Sequence, residues 1–293
     1  MRFGIWVTAA LVVMLTGCPK KKDPSADGGL AAAGSSSASA IKPEKLDRIT
    51  FKKKDPAVGM QYGYHDATEM SLDLTKPKKA EIVRKDASEQ KVELLAVEGR
   101  IVQRVKVTYV EKSETEIDDG KETIKKPLVR GRTYFAEAKG GKIDVRDENR
   151  RAVKKEESDV VSKDYAEMLG KPDKLLAALP DVPVKVGDSA NGLAEWVKDG
   201  LVQMGNIDIK STSVKLDSVA TDAHGNYGVF AVKAKVTLKV GALSFDLDLT
   251  GHLDVREDGR PQAFELAGPL VVKGGGADGT GKLSFAKSID FGG

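Results

Sequence analysis

The fold is read from Phe230-Ala231-Val232-Lys233-Ala234-Lys235-Val236-Thr237-Leu238-Lys239-Val240-Gly241-Ala242-Leu243-Ser244-Phe245-Asp246-Leu247-Asp248-Leu249. From Phe230 the even positions are apolar through Val240, and Lys233, Lys235, Thr237 and Lys239 lie between them. Beyond Gly241-Ala242 the parity reverses, with Leu243, Phe245, Leu247, Leu249, Leu253 and Val255 apolar. A period of two with one wet face predicts an antiparallel hairpin. Glycine in the first central position suits a two-residue type II′ turn. That turn sets Leu238 opposite Phe245, Val236 opposite Leu247 and Lys235 opposite Asp248, so the apolar faces coincide. A slip of one residue would turn one of those faces to water.

Working outward, Glu257-Asp258-Gly259-Arg260 carries the Asp-Gly signal of a type I′ hairpin. It predicts Leu253 opposite Phe264 and Gly251 opposite Leu266. Upstream, Ile207 to Val219 reads as a strand, with a turn at His224-Gly225-Asn226. Downstream, Leu270-Val271-Val272 and Leu283 to Phe291 add one or two more. The amino-terminal half offers Ile49 to Lys54, Glu69 to Leu74, Val92 to Val97, Ile101 to Val110 and Leu128 to Ala138, with a turn at Asp118-Asp119-Gly120-Lys121. Lys142 to Arg150 echoes His252 to Arg260 at an offset of 110 residues, which aligns Phe135 with Phe245 and places Asn149 where Gly259 stands. Two readings remain open for this echo: a duplicated meander, or two similar hairpins.

Between these halves, about Ser158 to Met204, lies the helical region. Val161, Tyr165, Met168 and Leu169 have helical spacing, and Gly170-Lys171-Pro172 is a stop signal. Leu175, Leu176 and Leu179 make a short second helix ended by Pro180, and a third starts near Asn191 with Leu193, Val197, Leu201 and Met204. The expected class is therefore α+β and mostly β: two antiparallel meanders forming a large curved sheet or half barrel around a central helical insert. In layout alone this is similar to the half barrels of bacterial lipoprotein carriers and receptors. No motif of theirs is matched, and no functional residue is carried over.

The amino terminus tells a separate story. Met1-Arg2 precedes an uncharged apolar run, Ile5 to Leu15, that ends in Leu15-Thr16-Gly17-Cys18. The run is shorter than the ~20 residues that span a bilayer and suits the hydrophobic region of a signal peptide. The four closing residues resemble the lipobox of bacterial lipoproteins. The resemblance implies cleavage before Cys18, diacylglycerol on its sulfur and, usually, a further acyl chain on the new amino terminus. Cys18 is the only cysteine, so an intramolecular disulfide is excluded. Residues 1–17 are then a signal peptide and 18–45 a lipidated flexible tether, rich in Lys, Gly, Ser and Ala. Residues 46–293 form one β-rich domain, with possible pseudo-repeated halves at about 46–155 and 205–293 and the helices at about 158–204. Residue 19 is Pro and not Asp, which by the sorting rule known for some Gram-negative lipoproteins points to the outer membrane.

Charges are balanced, 47 basic against 44 acidic, and aromatics make up 5% of the chain. No basic stripe studded with aromatics is present, so nucleic acid is not an expected partner. His65-Asp66 with Glu69 lacks the three or four convergent ligands of a zinc site and reads as a solvated strand or turn. His224 sits in a turn, and His252 falls opposite Glu265, where a surface ion pair explains it. Gly274 to Gly281 is glycine-rich, but it joins two strands and lacks the ending of a phosphate loop. The acidic run Glu111 to Asp119 lacks the spacing of a calcium loop. No Gly-x-Ser-x-Gly elbow occurs. Trp196 reads as a packing residue on the third helix.

No catalytic set, metal site or cofactor is therefore expected, and Cys18 is the one assigned site, a lipid attachment. The expected function is a non-enzymatic binding or carrier module for an apolar ligand or lipid, held at the membrane of the cell envelope. The alternatives are an interaction protein with a solid core and a protein partner, and an enzyme of a class the sequence does not reveal. The inside of the sheet separates the first two, since a carrier needs an open apolar pocket there.

Overall fold

A computed structural model describes residues 46–202 and 205–291. Cys18, with the expected signal segment and tether, lies outside the described residues. The strands are β1 (Arg48–Ile49), β2 (Gln61–Lys76), β3 (Ala80–Glu98), β4 (Ile101–Asp118), β5 (Lys121–Lys125), β6 (Thr133–Lys139) and β7 (Lys142–Asp147). Then come the helices α1 (Lys155–Tyr165) and α2 (Lys174–Ala178), strand β8 (Val184–Lys185) and helix α3 (Asn191–Val202). The chain closes with β9 (Ile207–Asp222), β10 (Gly225–Val240), β11 (Leu243–Arg256), β12 (Pro261–Gly274) and β13 (Asp278–Phe291).

The hairpin that organises the sequence forms in the expected register: Leu238 faces Phe245, Val236 faces Leu247 and Lys235 faces Asp248. Gly241 has φ +59°, and no other residue of the turn is left-handed, as a type II′ turn requires. Lys235 and Asp248 close to 3.1 Å on the wet face. The β11–β12 pairing also matches, with Leu253 on Phe264 and Gly251 on Leu266. Its turn differs from the expected type I′. Only Gly259 is left-handed (φ +89°), and Arg256 bonds Arg260 across a three-residue loop. Gln262 absorbs the extra residue as a bulge, where the register shifts after Asp254.

The two meanders join through their outer strands, because β2 pairs with β13 along its whole length. The result is an 11-stranded antiparallel sheet in the order β7-β6-β4-β3-β2-β13-β12-β11-β10-β9, with β5 attached to β4. The sheet is curved and does not close into a barrel, and the protein is mostly β with a small helical insert. β1 and β8 make a separate two-stranded ribbon.

Several expectations are corrected. Ile49 to Lys54 is not one strand. Only Arg48–Ile49 pairs, and the next residues run along the β11–β12 turn, with Lys52 N–H bonded to Glu257 O and Lys54 N–H to Asp258 O. Phe51 leaves the ladder to stack on Phe230 at 6.1 Å. Leu128 to Ala138 is a strand only from Thr133. Pro127 and Gly131 (φ +72°) fold the first part into turns that bury Val129. The strands β2, β3 and β4 are two to three times longer than their apolar runs implied.

α1 begins at Lys155, ahead of Ser158, because the Glu157 carboxylate accepts the Lys154 N–H and starts the helix there. In the echo, Arg150 and not Asn149 takes the left-handed position of Gly259. Phe135 and Lys142 lie on two strands, whereas Phe245 and His252 share one, so the echoed segments are not equivalent pieces of sheet.

One face of the sheet carries the helices and two separate cores. The larger core joins the inward residues of β9–β13 to α2 and α3, through Leu193, Trp196, Val197 and Leu201. The smaller joins Val92, Leu94, Val105, Val107 and Tyr109 to Val161, Tyr165 and Leu169, the last just beyond the end of α1.

Candidate ligand cleft

Where the two cores meet, the packing is interrupted. A cleft of about 170 Å³ opens there. That exceeds the roughly 150 Å³ cavity that accepts benzene, but falls short of the ~300 Å³ at the lower end of drug-sized pockets. The start of β2 supplies Tyr62 and Tyr64, β3 supplies Leu94, and the end of β13 supplies Ile289 and Phe291. The helical insert adds Met168, Leu175, Leu176 and Trp196. Lys54 to Pro56 and Met60 pass along the mouth, beside Gly259, Arg260 and Pro261 of the β11–β12 turn.

The walls are apolar and in part adaptable. Tyr62 and Tyr64 pack edge to face at 5.1 Å, and the Tyr62 hydroxyl points to Met168 Sδ at 3.8 Å. Burial pushes both phenols well above their ordinary value, so they stay neutral and supply no acid or base near neutral pH. Two methionines in the wall, Met60 and Met168, can reshape it at low cost. Trp196 is a packing residue as expected, edge-on to Phe264 at 6.0 Å, but its other side faces the cleft.

A second feature was not foreseen. Between the cores, the helix-bearing face of β2, β3, β4 and β13 is polar. Lys287 pairs with Asp66 at 3.1 Å and sits 4.5 Å from the Tyr64 ring centre. Arg84 pairs with Glu116 at 2.9 Å. Asp164, at the end of α1, receives Lys112 at 2.7 Å and the Tyr109 hydroxyl at 2.8 Å. Tyr165 donates to Gln90 at 2.7 Å. Burial, with Glu114 opposite, raises the Asp86 carboxyl to about 6. These polar groups separate the cores, and Arg84 Nε stays buried among them without a partner. They leave the cleft as the open apolar space described between the cores.

The histidines singled out in the sequence do not converge. His65 lies on β2 with Nε2 at 2.9 Å from Asp290. The backbone N–H of His224 donates to Asp222 in the β9–β10 turn. His252 stands opposite Glu265 as expected, but its ionic neighbour is Asp254, at 3.9 Å on its own strand. Among the described residues no group of three or more His, Cys, Asp or Glu is placed to hold a metal ion. Gly274 to Gly276 turn the chain from β12 to β13, and the acidic run Glu111 to Asp119 forms the outer half of β4 and its turn. The cleft residues escaped the sequence reading because they come from six separate segments. A trace lay in Tyr62 and Tyr64, two aromatics two apart at the start of a strand that was read only from Glu69.

No protein-family model and no curated protein matches the chain. Among solved structures, lipovitellin, from a study of its lipid–protein interactions, is similar at TM-score 0.36 and 7% identity over 81% of this chain. This chain spans about a quarter of the length of that one. DynF, of the dynemicin biosynthesis pathway of Micromonospora chersina, is similar at TM-score 0.22 and 8% identity, covering 89% of this chain and 92% of that one. A β-barrel-like protein of the domain of unknown function DUF1849 from Brucella abortus is similar at TM-score 0.17 and 11% identity, covering 81% and 99%.

Proposed function

We propose that the protein is a non-enzymatic binding module that holds one short apolar chain or ring in the cleft between its two cores, and that a lipid on Cys18 keeps it at an envelope membrane. The observation that carries the first part is the cleft itself: apolar walls, a charged mouth and about 170 Å³ of open volume. Its size supports a single chain segment and speaks against a whole diacyl lipid. Each buried methylene is worth about 0.8 kcal/mol, so a handful suffice for measurable affinity.

The neutral dye N-phenyl-1-naphthylamine tests this reading. Its fluorescence is expected to rise on binding with one-to-one stoichiometry. Met168→Trp fills the space and is expected to lower dye affinity about tenfold or more while leaving the melting temperature within a few degrees, since Met168 is only partly buried at the edge of the smaller core. Dye binding that is absent, or indifferent to Met168→Trp, removes the proposal. That result would favour the second reading, an interaction protein whose partner binds its surface.

Anchoring is tested separately. Cells fed an alkyne-bearing palmitate are expected to label the wild-type chain and not Cys18→Ala, and the variant is expected to leave the membrane fraction. Equal labelling of both would refute lipidation at Cys18.

A further inference from the structure

The mouth of the cleft is lined by five cations, Lys54, Arg100, Lys171, Lys174 and Arg260, and four carboxylates, Asp55, Glu167, Asp173 and Asp199. Most of these charges are already engaged. Arg100 pairs with Asp55 at 2.7 Å. Glu167 holds both Lys171 at 3.0 Å and Lys174 at 3.4 Å. The Asp173 carboxylate caps α2 by accepting from Leu175 and Leu176 N–H. Three groups remain: Asp199 on α3, Lys54 and part of Arg260. Lys54 has no carboxylate partner among the described residues. Its backbone N–H is bonded at 2.8 Å to Asp258 O, in the turn that carries Arg260, so the two cations belong to one corner of the mouth.

Arg260 is built in a way the other cations are not. Asp258 takes one edge of its guanidinium, with Oδ2 at 2.7 Å from Nε and 2.5 Å from Nη2. The plane sits over the Phe291 ring with its centre at 4.1 Å. A guanidinium has five N–H donors in a rigid fork. Here one edge and one face are fixed, and the donors on Nη1 are left for a further acceptor beside the apolar walls. Two of the cleft's aromatic rings already carry a cation, Phe291 under Arg260 and Tyr64 under Lys287 at 4.5 Å. Asp199, which has no ion pair among the described residues, lies on the α3 side and leaves the Lys54–Arg260 corner as the place for negative charge.

We infer that the cleft's ligand is an amphiphile with a single anionic head, a carboxylate or a phosphate monoester, held by Arg260 and Lys54 while its apolar end lies against Tyr62, Leu94 and Met168. This rests on the apolar-cleft reading above and adds the chemistry of the head. An always-charged, pre-oriented fork is the group best suited to a planar anion in a site partly shielded from water.

Displacement of bound N-phenyl-1-naphthylamine from the full chain, at physiological ionic strength and neutral pH, is the test. The competitors are decanoate, decyl phosphate, decanol and decylamine, each below its micelle concentration. Decanoate and decyl phosphate are expected to displace the dye at about tenfold lower concentration than decanol or decylamine. The stronger of the two names the head. Arg260→Gln is expected to erase that preference, read as the ratio of alcohol to acid displacement. Lys54→Gln, an exposed change that does not endanger the fold, is expected to weaken it about threefold.

Equal displacement by acid and alcohol, a preference for the amine, or a preference untouched in both variants overturns the inference and leaves the apolar cleft standing. If Arg260→Gln no longer binds the dye, the Lys54→Gln result decides. If the dye finds no site in the wild type, both readings fall together.

Discussion

Asp222→Ala is expected to lower stability by about 3 kcal/mol, the lower part of the range for breaking a buried ion pair. Asp222 ends β9 and Arg256 ends β11. The two form a bidentate pair, Nη1 to Oδ2 at 2.9 Å and Nη2 to Oδ1 at 2.8 Å. The Arg256 side chain is only 3% exposed, while Asp222 keeps 28%. Gln262, the bulged residue of β12, bridges both partners at 3.0 and 3.2 Å. Removing the carboxylate leaves a buried guanidinium with one neutral acceptor, and an arginine cannot shed its charge.

The double variant Asp222→Ala, Arg256→Met is expected to be more stable than Asp222→Ala alone, because the stranded charge is gone. Urea midpoints at constant m-value measure both. A single-variant loss below about 1 kcal/mol would show that water reaches Arg256 and that the pair is an ordinary surface one.

The same pair sets the acid side of the stability profile. Hydrogen bonding from Arg256 holds the Asp222 carboxyl below its ordinary value, so unfolding in acid takes up a proton. The pair's contribution is complete above about pH 4 and is lost as pH falls below it. Asp86 bends the profile the other way. Its carboxyl, raised to about 6, favours the neutral form in the folded chain. Stability from this group falls as pH rises from about 4 to about 6.

Gly251→Ala is expected to cost about 3 kcal/mol or more, as an overpacked site that cannot relax. A Cβ at Gly251 would lie 1.8 Å from Glu265 O and 2.9 Å from Leu266 Cα, and both are backbone of the facing strand. On that strand a Cβ at Gly268 would meet Asp248 O at 1.9 Å, and Pro269 beside it has no N–H to give to the ladder. The β11–β12 pairing is interrupted between Leu247–Leu270 and Thr250–Ala267. Two glycines and a proline thus let two strands approach and bend at one place, as glycine in a strand interior often does.

Gly63→Ala in β2 is the contrasting case. Its nearest neighbours would be at 3.7 Å, and its φ is not left-handed. A neutral or slightly stabilising change is expected there. Equal losses at both positions, read from thermal midpoints, would show that the close approach to Glu265 O is not what governs Gly251.

The strands β10, β11 and β12 could be paired residue by residue from the sequence because one face is continuously apolar. Burial of that face admits a single register. The long strands β2, β3 and β4 could not. From Arg84 to Gln90 and from Lys112 to Asp118 both faces are polar apart from Ala87 and Ile117, so the period of two that marks a strand disappears. What holds them is pairing across distance: Arg84 with Glu116, Asp66 with Lys287, Lys112 with Asp164. A charge partnered 221 residues away leaves no local signature. The same holds for the cleft, whose walls come from segments that meet only after the first long strand pairs with the last.

Local chemistry alone was therefore enough for the mostly β class, the central helical insert, the turns at Gly241-Ala242 and Asp119-Gly120, and the facing pairs of the last meander. Cys18 as the expected point of lipid attachment came from the resemblance to a lipobox. The union of two meanders through β2 and β13, the division of the interior into two cores and the opening between them emerged only on folding. Alternation and turn propensity act between residues a few positions apart and are written in the chain. Where two cores stop short of each other depends on side-chain volumes and ion pairs brought together from both ends of it.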